Sequence, residues 1–244
     1  MDLRLGNNVI TKAYIGNTLV TDVLLGESSP SIPNLIAYYR FEDNVNDQLG
    51  LNNGIGTNVT YNASGKLDKS IVFSGSNSYV KITDSDTFSF TDGLTDTPFS
   101  VTFSFKFNTV NRCWMVSKRN GGASNYEYDI LNNTGNKFTL ILWDNSNGSF
   151  LLKEFTWSPV VSAWNNLAVT YDGSGLVSGM SLYINAVSGG STSTSGTYTR
   201  MRNSSSGVQI SGIDNNSFNV TGEMDELRFW DKELSQLEID NLNI

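Results

Sequence analysis

The pattern of hydrophobic and polar positions is clearest over Phe99–Phe107, where a hydrophobic side chain stands at every second position and Ser, Thr or Lys stands between. Strict alternation predicts a β-strand with one face in a core and the other towards solvent. Weaker patterns of the same kind, bounded by Gly, Asn, Asp and Ser, predict further strands. These are Leu35–Phe41, Ser70–Phe73, Tyr79–Ile82, Trp114–Ser117, Tyr126–Leu131, Lys137–Trp143, Leu151–Trp157, Asn166–Tyr171, Met180–Ile184, Val208–Ile213 and Glu223–Trp230.

Helical periodicity is confined to the tail of the chain. Ser235 can cap a helix with Glu238 three residues later, and Leu237 and Leu242 offer an apolar stripe. The polar stretches 42–56 and 188–196 are predicted as a loop and as a loop or hairpin tip. Many short strands without alternating helices predict an all-β fold, an antiparallel two-sheet jelly-roll sandwich with a short C-terminal helix.

The stretch Thr221–Trp230 places a carboxylate at a core position. As a regular strand it puts Asp225 on the face of Leu227 and Phe229, while Met224, Glu226, Arg228 and Trp230 take the other face. Asp43, just beyond the strand Leu35–Phe41, repeats this arrangement. Such an anion must be exposed at a strand end, hydrogen-bonded or neutralised by a cation, and two of them suggest one shared partner.

Composition removes several kinds of chemistry. The chain of 244 residues has no His and one Cys, which excludes Ser-His-Asp and Cys-His pairs and zinc sites built from His or thiolates. Any metal must be held by oxygen, and any hydrolysis must use carboxylates. A net charge of −8 argues against a nucleic-acid partner. No apolar stretch reaches membrane-spanning length, and Cys113 is predicted to be a buried small hydrophobe.

The N-terminal arm, residues 1–30, carries a repeat of about ten residues. Leu5-Gly6-Asn7, Ile15-Gly16-Asn17 and Leu25-Gly26-Glu27 each precede a short β-prone run, which predicts strand, tight turn and strand. Three short copies bury too little surface to fold alone, so the arm is predicted to pair with another chain or with the main domain, residues 31–244. The alternative is an ordinary hairpin packed on that domain. Residues 26–33 are the predicted boundary.

An ordered set of motifs resembles laminin-G-like, concanavalin A-like domains over roughly residues 34–244. The motifs are Tyr38-Tyr39-Arg40-Phe41-Glu42-Asp43-Asn44, Ser70-Ile71-Val72-Phe73-Ser74-Gly75, Phe99-Ser100-Val101-Thr102-Phe103, Trp164-Asn165-Asn166-Leu167-Ala168-Val169-Thr170-Tyr171-Asp172-Gly173, Leu182-Tyr183-Ile184-Asn185 and Gly222-Glu223-Met224-Asp225-Glu226-Leu227-Arg228-Phe229-Trp230. Their specificity comes from their order, since each motif alone is weak.

The resemblance implies a structural Ca²⁺ near the junction of the first and last strands. Asp43 and Asp225 would supply anionic oxygens, and the turn from Gly75 to Asn77 would add carbonyl or amide oxygen. Asp47 is either a further ligand or the holder of its loop through an Asx-turn, and we favour the loop role. The alternative to a metal is that backbone N–H groups satisfy the two carboxylates.

Endo-glycanases of the same fold resemble this chain at one place. Their strand reads Glu-x-Asp-x-Glu, or the same with one more spacer, and retaining chemistry needs two carboxyl groups about 5 to 5.5 Å apart. Glu223 and Asp225 match the first two positions, but the third falls on Leu227 or Arg228. Glu226 is predicted on the opposite face, so the chain is predicted not to be an enzyme.

Binding without chemistry has a candidate set of ligand residues. Aromatic faces together with planar amide and carboxylate groups recognise sugars, and such groups occur at Trp114, Tyr126, Trp143, Asp144 and Asn145. Trp157 is a further candidate platform. Each aromatic side chain has the alternative of packing in the core or at an edge. Trp164 and Trp230 match framework positions of the family and are read as structural.

The N-terminal repeat resembles the openings of bacteriophage virion proteins. This resemblance implies a fibre or decoration protein, made in the host cytoplasm without a signal peptide and then displayed on the virion surface. Residues 1–30 would bind other virion proteins or form a homo-oligomer, and the lectin-like domain would bind a cell-surface carbohydrate. The alternatives are a purely structural decoration protein without a ligand and a glycoside hydrolase of the same fold.

Overall fold

The computed structural model describes residues 13–15, 18–20, 32–120, 125–144, 148–213 and 217–242, with the first two ranges described by their backbone. The chain divides into two compact units, Met1–Pro33 and Asn34–Ile244. In the first unit, β1 (Ala13–Ile15) and β2 (Thr18–Val20) pair antiparallel. This pairing agrees with the strands predicted for one copy of the repeat. The role of the arm stays a prediction.

In the part of the second unit that the structure describes there are two antiparallel sheets, one short α-helix, α1 (Gln236–Asn241), and two single-turn 3-10 helices, Asp86–Phe88 and Val177–Gly179. Its strands are β3 (Leu35–Tyr39), β4 (Gly54–Thr57), β5 (Val59–Asn62), β6 (Ser70–Ser74), β7 (Tyr79–Ile82), β8 (Phe99–Phe107), β9 (Cys113–Arg119), β10 (Tyr126–Asn133), β11 (Lys137–Asp144), β12 (Ser149–Thr156), β13 (Trp164–Tyr171), β14 (Met180–Ile184), β15 (Val187–Gly189), β16 (Ser191–Ser195), β17 (Val208–Ile210) and β18 (Thr221–Trp230).

The two sheets pack face to face. The first sheet has the order β16-β12-β11-β10-β9-β17-β7-β4, and the second has the order β15-β14-β13-β8-β18-β6-β5, with β3 also paired to β18. Rings from both sheets meet in one core: Phe103 and Phe138 have centroids 6.5 Å apart, and Phe99 and Tyr128 have centroids 5.8 Å apart. The predicted antiparallel sandwich is therefore confirmed.

Strand β8 confirms the alternation from which it was predicted, with one correction. The hydrophobic positions of Phe99–Phe107 are wholly buried in the core. The polar face was predicted to be open to solvent, but Ser100, Thr102 and Ser104 are wholly buried, and the C-terminal segment covers Ser100. Ser100 Oγ donates to the Lys232 carbonyl oxygen at 2.8 Å, and the Leu234 N–H donates to Ser100 Oγ at 2.9 Å.

Four edge strands escaped the sequence prediction. Strand β4 begins inside the polar stretch predicted as a loop, and β5 follows that stretch. Strands β15 and β16 occupy the tract predicted as a loop or hairpin tip. In β16, Ser191 to Thr194 are exposed and Ser195 is half-buried. A strand exposed in this way has no alternation of buried and open positions, so no hydrophobic pattern marks it.

The predicted C-terminal helix is confirmed, including its capping box between Ser235 and Glu238. Its predicted apolar stripe is wrong at Leu237, which is 68% exposed. Ile239 and Leu234 instead pack with Trp230 on the outer side of the second sheet. The reason is helical geometry, because positions two apart lie on nearly opposite sides of a helix.

Candidate functional site

The outer face of the first sheet, which turns away from the core, carries a second apolar cluster. Trp114, Leu131 and Ile141 are nearly or wholly buried there, and half-buried Trp143, Phe150, Leu152 and Ile213 pack against them. The strand register explains the grouping, since Leu131 lies opposite Trp114, Asp129 lies opposite Ile141 and Ile141 lies opposite Leu152. All of these residues except Ile213, which follows β17, come from the four consecutive strands β9 to β12. They share one face because side chains alternate along each strand.

At one end of this face, three partly open rings and one guanidinium group form a surface that we call the aromatic ledge. Its residues are Arg119, Tyr126, Trp143 and Phe150. The Arg119 guanidinium lies 3.7 Å from the centroid of the Tyr126 ring. The Tyr126 and Trp143 rings meet edge to face at 5.5 Å, and the Trp143 and Phe150 rings at 5.2 Å. All four side chains are half-buried, so part of each remains open to a ligand. Faces of this kind stack on sugar rings.

Asp129 holds the aromatic ledge from beneath. Its Oδ2 accepts hydrogen bonds from Arg119 Nη1 at 2.8 Å and from Trp143 Nε1 at 2.9 Å. The carboxyl is wholly buried, and this burial raises its pKa, while the Arg119 charge and the indole hydrogen bond act in the opposite direction. Asp129 is beyond the reach of a ligand and is a positioning residue, since it orients the indole and the guanidinium that a ligand would meet.

The structure brings together three of the predicted ligand residues. Trp114, Tyr126 and Trp143 share the outer face, although Trp114 is only 5% exposed and lies between Arg112 and Phe218. Asn145 lies outside the described residues. The candidate platform Trp157 packs instead against the core and donates through Nε1 to Asn132 Oδ1 at 3.0 Å.

Asp144 lies away from the aromatic ledge, because it follows Trp143 on β11 and therefore points to the other side. It lines a separate cleft of about 320 Å³, which we call the arginine cleft. The other lining residues are Gly93, Arg200, Met201, Arg202 and Asn203. Asp144 is buried, and its Oδ2 accepts from the Thr199 N–H at 2.8 Å.

The predicted calcium ligands lie at two different places. Asp225 is buried, and its Oδ2 accepts from the Lys66 and Leu67 N–H groups at 2.9 and 2.8 Å. Exposed Asp43, in the loop after β3, pairs with Lys69 in the loop before β6. Gly75 lies beside Thr221, and Asp225 is four positions further along β18, which is about 13 Å.

The turn from Gly75 to Asn77 is also engaged elsewhere. Gly75 accepts from the Ser78 N–H at 3.0 Å, and the Asn77 carbonyl oxygen accepts from Asn58 Nδ2 at 3.0 Å. Among the residues that the structure describes, no three carboxylate or thiol side chains are grouped so as to hold a metal. The four predicted ligands therefore do not fit one calcium ion as they are placed. The loop role favoured for Asp47 is confirmed, since its Oδ1 accepts from the Leu49 N–H at 3.1 Å.

Strand β18 departs from the predicted assignment of faces at a β-bulge. Asp225 lies opposite Ser104 and Arg228 lies opposite Thr102, so β18 has one residue more than β8 over this interval. Glu226 takes the extra place with a φ of 56°. Because the bulge changes the alternation, Met224 packs in the core together with Leu227 and Phe229, and Asp225 turns to the outer face. The predicted places of Met224 and Asp225 were wrong for this reason.

The bulge also corrects the prediction for Glu226, which shares the outer face with Asp225 and Glu223. Each carboxylate has structural partners there. Glu223 pairs with Lys106 at 2.9 Å and accepts from Ser70 Oγ at 2.8 Å. Glu226 is wholly buried and pairs with Arg228. The groups that a glycanase would use are thus engaged in ion pairs and hydrogen bonds.

The carboxyl of Asp225 makes the stability of the folded state depend on pH. Burial raises its pKa to about 7, although the N–H groups of Leu67 and Lys66 act against this rise. An unfolded Asp loses its proton near pH 3.9, whereas the folded protein keeps it until about pH 7. The folded state therefore binds more protons in this window, and the stability due to Asp225 falls as the pH rises from about 4 to about 7.

Replacing Asp225 by Asn should remove this dependence. We expect Asp225→Asn to gain stability relative to the unsubstituted protein as the pH rises through this window, measured by urea denaturation in the presence of a chelator. Asp43→Asn is the matched control at an exposed carboxylate. A difference between Asp225→Asn and the unsubstituted protein that stays constant with pH would contradict the prediction.

The sandwich and its outer aromatic face define a lectin-like domain. The chain belongs to the concanavalin A-like lectin/glucanases superfamily, whose Laminin_G_3 family model matches residues 74–240. No curated protein matches the chain by sequence. Among the described residues, no helix is long and apolar enough to cross a membrane.

Solved structures with the same fold include binding domains of toxins. The binding domain of Paraclostridial Mosquitocidal Protein 1 is 15% identical with a TM-score of 0.67, and the match covers 86% of this chain and 52% of that one. The ligand binding domain of botulinum neurotoxin serotype D, in complex with N-acetylneuraminic acid, is 17% identical with a TM-score of 0.65, covering 86% and 50%. This chain thus spans about half the length of these toxin domains.

Domain 4 of an extracellular arabinanase from Geobacillus stearothermophilus, in complex with arabinotriose, matches over most of its own length. It is 18% identical with a TM-score of 0.58, and the match covers 86% of this chain and 98% of that domain. At these identities the likeness establishes the fold.

Sequence reasoning missed Arg119, Asp129, Arg200 and Arg202. Asp129 occupies an ordinary position of a strand, and only the pairing of β9, β10 and β11 brings it beneath Arg119 and Trp143. The two other arginines had a sequence signal, because Arg200-Met201-Arg202 follows a polar tract in a chain with few cations.

Proposed function

We propose that residues 34–244 bind carbohydrate on the aromatic ledge without chemical conversion, as the displayed domain of a phage virion protein. The observation that supports the proposal most directly is the ledge itself. Its rings are partly open, and a buried carboxylate orients two of its four side chains. Such preorganisation lowers the entropic cost of binding.

The first test is binding of the full chain to a broad glycan panel, with release of products followed in the same samples. We expect binding to a narrow class of glycans without product release. Trp143→Ala should weaken this binding at least about tenfold, since a stacking aromatic residue at the centre of a site contributes on the order of 2 kcal/mol.

The matched control is Trp164→Ala, which removes another half-buried indole, packed against Lys106 on the second sheet. Equal losses for both variants would contradict the assignment of the ledge. No binding by the unsubstituted protein would favour the alternative function, a decoration protein without a ligand. Product release would favour a glycoside hydrolase.

Calcium binding at Asp43 and Asp225 remains a prediction, and the same panel tests it when run with calcium and again with a chelator. Equal affinities and equal melting temperatures under the two conditions would remove the metal from the proposal.

Attachment to the virion is assigned to residues 1–30, which carry the ten-residue repeat. We expect a chain without these residues to keep its glycan binding and to lose incorporation into particles, measured by the amount of protein in purified particles. Normal incorporation would contradict the anchoring role. The outcome is independent of the glycan assay, because each uses a different unit of the chain.

A further inference from the structure

The segment 198–206 crosses the end of the first sheet without regular secondary structure and is held by buried carboxylates. Asp96 accepts from the Tyr198 hydroxyl and from the Met201 N–H, both at 2.7 Å. Glu127 accepts from the Ser204 N–H at 2.7 Å. Together with the bond from Thr199 to Asp144, these contacts fix the backbone of the segment. Side chains that project from it are therefore presented in a defined arrangement.

Two arginines of this segment line the arginine cleft, Arg200 half-buried and Arg202 exposed. Arg200 and Arg202 flank Met201, whose side chain is wholly buried in the core. Neither arginine forms an ion pair with a carboxylate of the described residues. Eight other cations of the described chain do, namely Arg40, Lys69, Lys106, Lys118, Arg119, Lys137, Arg228 and Lys232. Lys66, Arg112 and Lys153 share the lack of such a pair, but they do not line the arginine cleft.

Arg200 and Arg202 can bind an anionic group of a ligand, because neither forms an ion pair within the described chain. The chain has 24 acidic and 16 basic residues, so intramolecular partners for a cation are plentiful. A guanidinium presents parallel N–H donors that match a carboxylate or sulfate group, and two of them in one cleft favour that group strongly. Asp144 offsets part of this charge, but its Oδ2 accepts from the Thr199 backbone. The volume of about 320 Å³ is within the range of ligand pockets.

The arginine cleft and the aromatic ledge lie at the same end of strand β11, on its two sides. Trp143 of the ledge and Asp144 of the cleft are consecutive residues, with Cα atoms about 3.8 Å apart. At the same end, β9 ends at Arg119 and β10 begins at Tyr126. A saccharide that occupies both must reach round the end of β11, because the side chains of Trp143 and Asp144 point to opposite sides of that strand.

We infer that the carbohydrate bound by this domain is acidic, and that Arg200 and Arg202 bind its carboxylate or sulfate group. This inference rests on the proposed function, because it names the class of ligand for the same end of the sheet. It adds two specificity residues to the site. The aromatic ledge would supply stacking, and the arginine cleft would supply charge.

The test uses pairs of oligosaccharides that differ only in the acidic group: sialyllactose and lactose, oligogalacturonate and its methyl ester, and sulfated and desulfated galactose oligomers. Binding of the full chain is measured by calorimetry at low and at high salt. We expect the acidic member of at least one pair to bind at least about tenfold more tightly, with the preference decreasing in high salt.

The double variant Arg200→Gln/Arg202→Gln should lose this preference and keep binding to the neutral member. The matched control is Lys66→Gln/Arg112→Gln, which removes the same two charges at exposed positions away from the arginine cleft. Melting curves of both variants verify their folding.

The outcomes separate the two proposals. Equal binding of both members of every pair would overturn the inference and leave the proposed function intact. Equal effects of the two double variants would also overturn it, because the preference would then arise from overall charge. If no member of any pair binds and the broad panel is also negative, the proposed function falls and the inference falls with it.

Discussion

Replacing Lys118 by Met should lower the free energy of unfolding by about 3 to 5 kcal/mol at pH 8, the cost of leaving a buried charge without its partner. The Lys118 side chain is wholly buried, and its Nζ lies 3.1 Å from the equally buried Glu127 and 2.7 Å from Asp84. It also donates to the Ser206 carbonyl oxygen at 2.5 Å. Among the described residues, Lys118 is the only cation that forms an ion pair with the Glu127 carboxylate.

The cost should depend on pH in a defined direction. Burial already raises the pKa of Glu127, and Lys118 lowers it in part. Without Lys118 the folded-state pKa rises further, whereas an unfolded Glu loses its proton near pH 4.3. Above that pH the folded variant holds a proton that the unfolded chain has released, so its stability falls as the pH rises. The loss caused by Lys118→Met should therefore be smaller at pH 5 than at pH 8.

The matched variant is Lys118→Met/Glu127→Gln, measured with the two single variants by urea denaturation. Gln retains an oxygen that can accept from Ser204 and carries no charge, so the double variant should recover much of the loss and show little of the pH dependence. A double variant as unstable as Lys118→Met at both pH values would show that packing, rather than charge, determines the loss.

Replacing Gly222 by Ala should cost about 3 kcal/mol, because the added methyl group meets backbone rather than a flexible side chain. A Cβ on Gly222 would lie 2.4 Å from the Lys106 carbonyl oxygen of the neighbouring strand. Gly222 pairs with Phe73 of β6 on one side and with Phe107 of β8 on the other, so β18 cannot move away from either.

Urea denaturation of Gly222→Ala checks this prediction, with Gly56→Ala as the control. A Cβ on Gly56 would meet the Val59 side chain at 2.8 Å, and that side chain can rotate away. Gly56 also lies on β4 at the edge of the first sheet. We expect a change below about 1 kcal/mol for the control. A comparable loss in both variants would contradict the explanation through backbone contact.

The aromatic ledge shows how far sequence reasoning reached into the candidate site. Tyr126 and Trp143 were predicted as ligand residues from their chemistry, and the structure brings them together on one face. The predicted companion Asp144 lies in the arginine cleft, since consecutive residues of a strand point to opposite sides. Arg119 and Asp129 join the ledge through pairing between strands, which no local pattern encodes.

The bulge in β18 accounts for the remaining errors around Asp225. A β-bulge adds a single residue, and here Glu226 adopts a positive φ that Glu seldom takes. The local sequence around Glu226 has no feature that predicts a bulge. The assignment of faces was therefore correct for Leu227 and Phe229, which lie beyond the bulge, and wrong for Met224 and Asp225, which precede it.

By itself, the sequence determined the class of fold, the core face of Phe99–Phe107, the capping box at Ser235 and the loop role of Asp47. Each of these follows from interactions between residues close along the chain, such as alternation, capping and Asx-turns. Tertiary structure alone decided the edge strands, the bulge at Glu226, the buried pair of Lys118 with Glu127, the aromatic ledge and the arginine cleft. These depend on pairing and burial between distant segments, whose free energy is only defined once the strands have met.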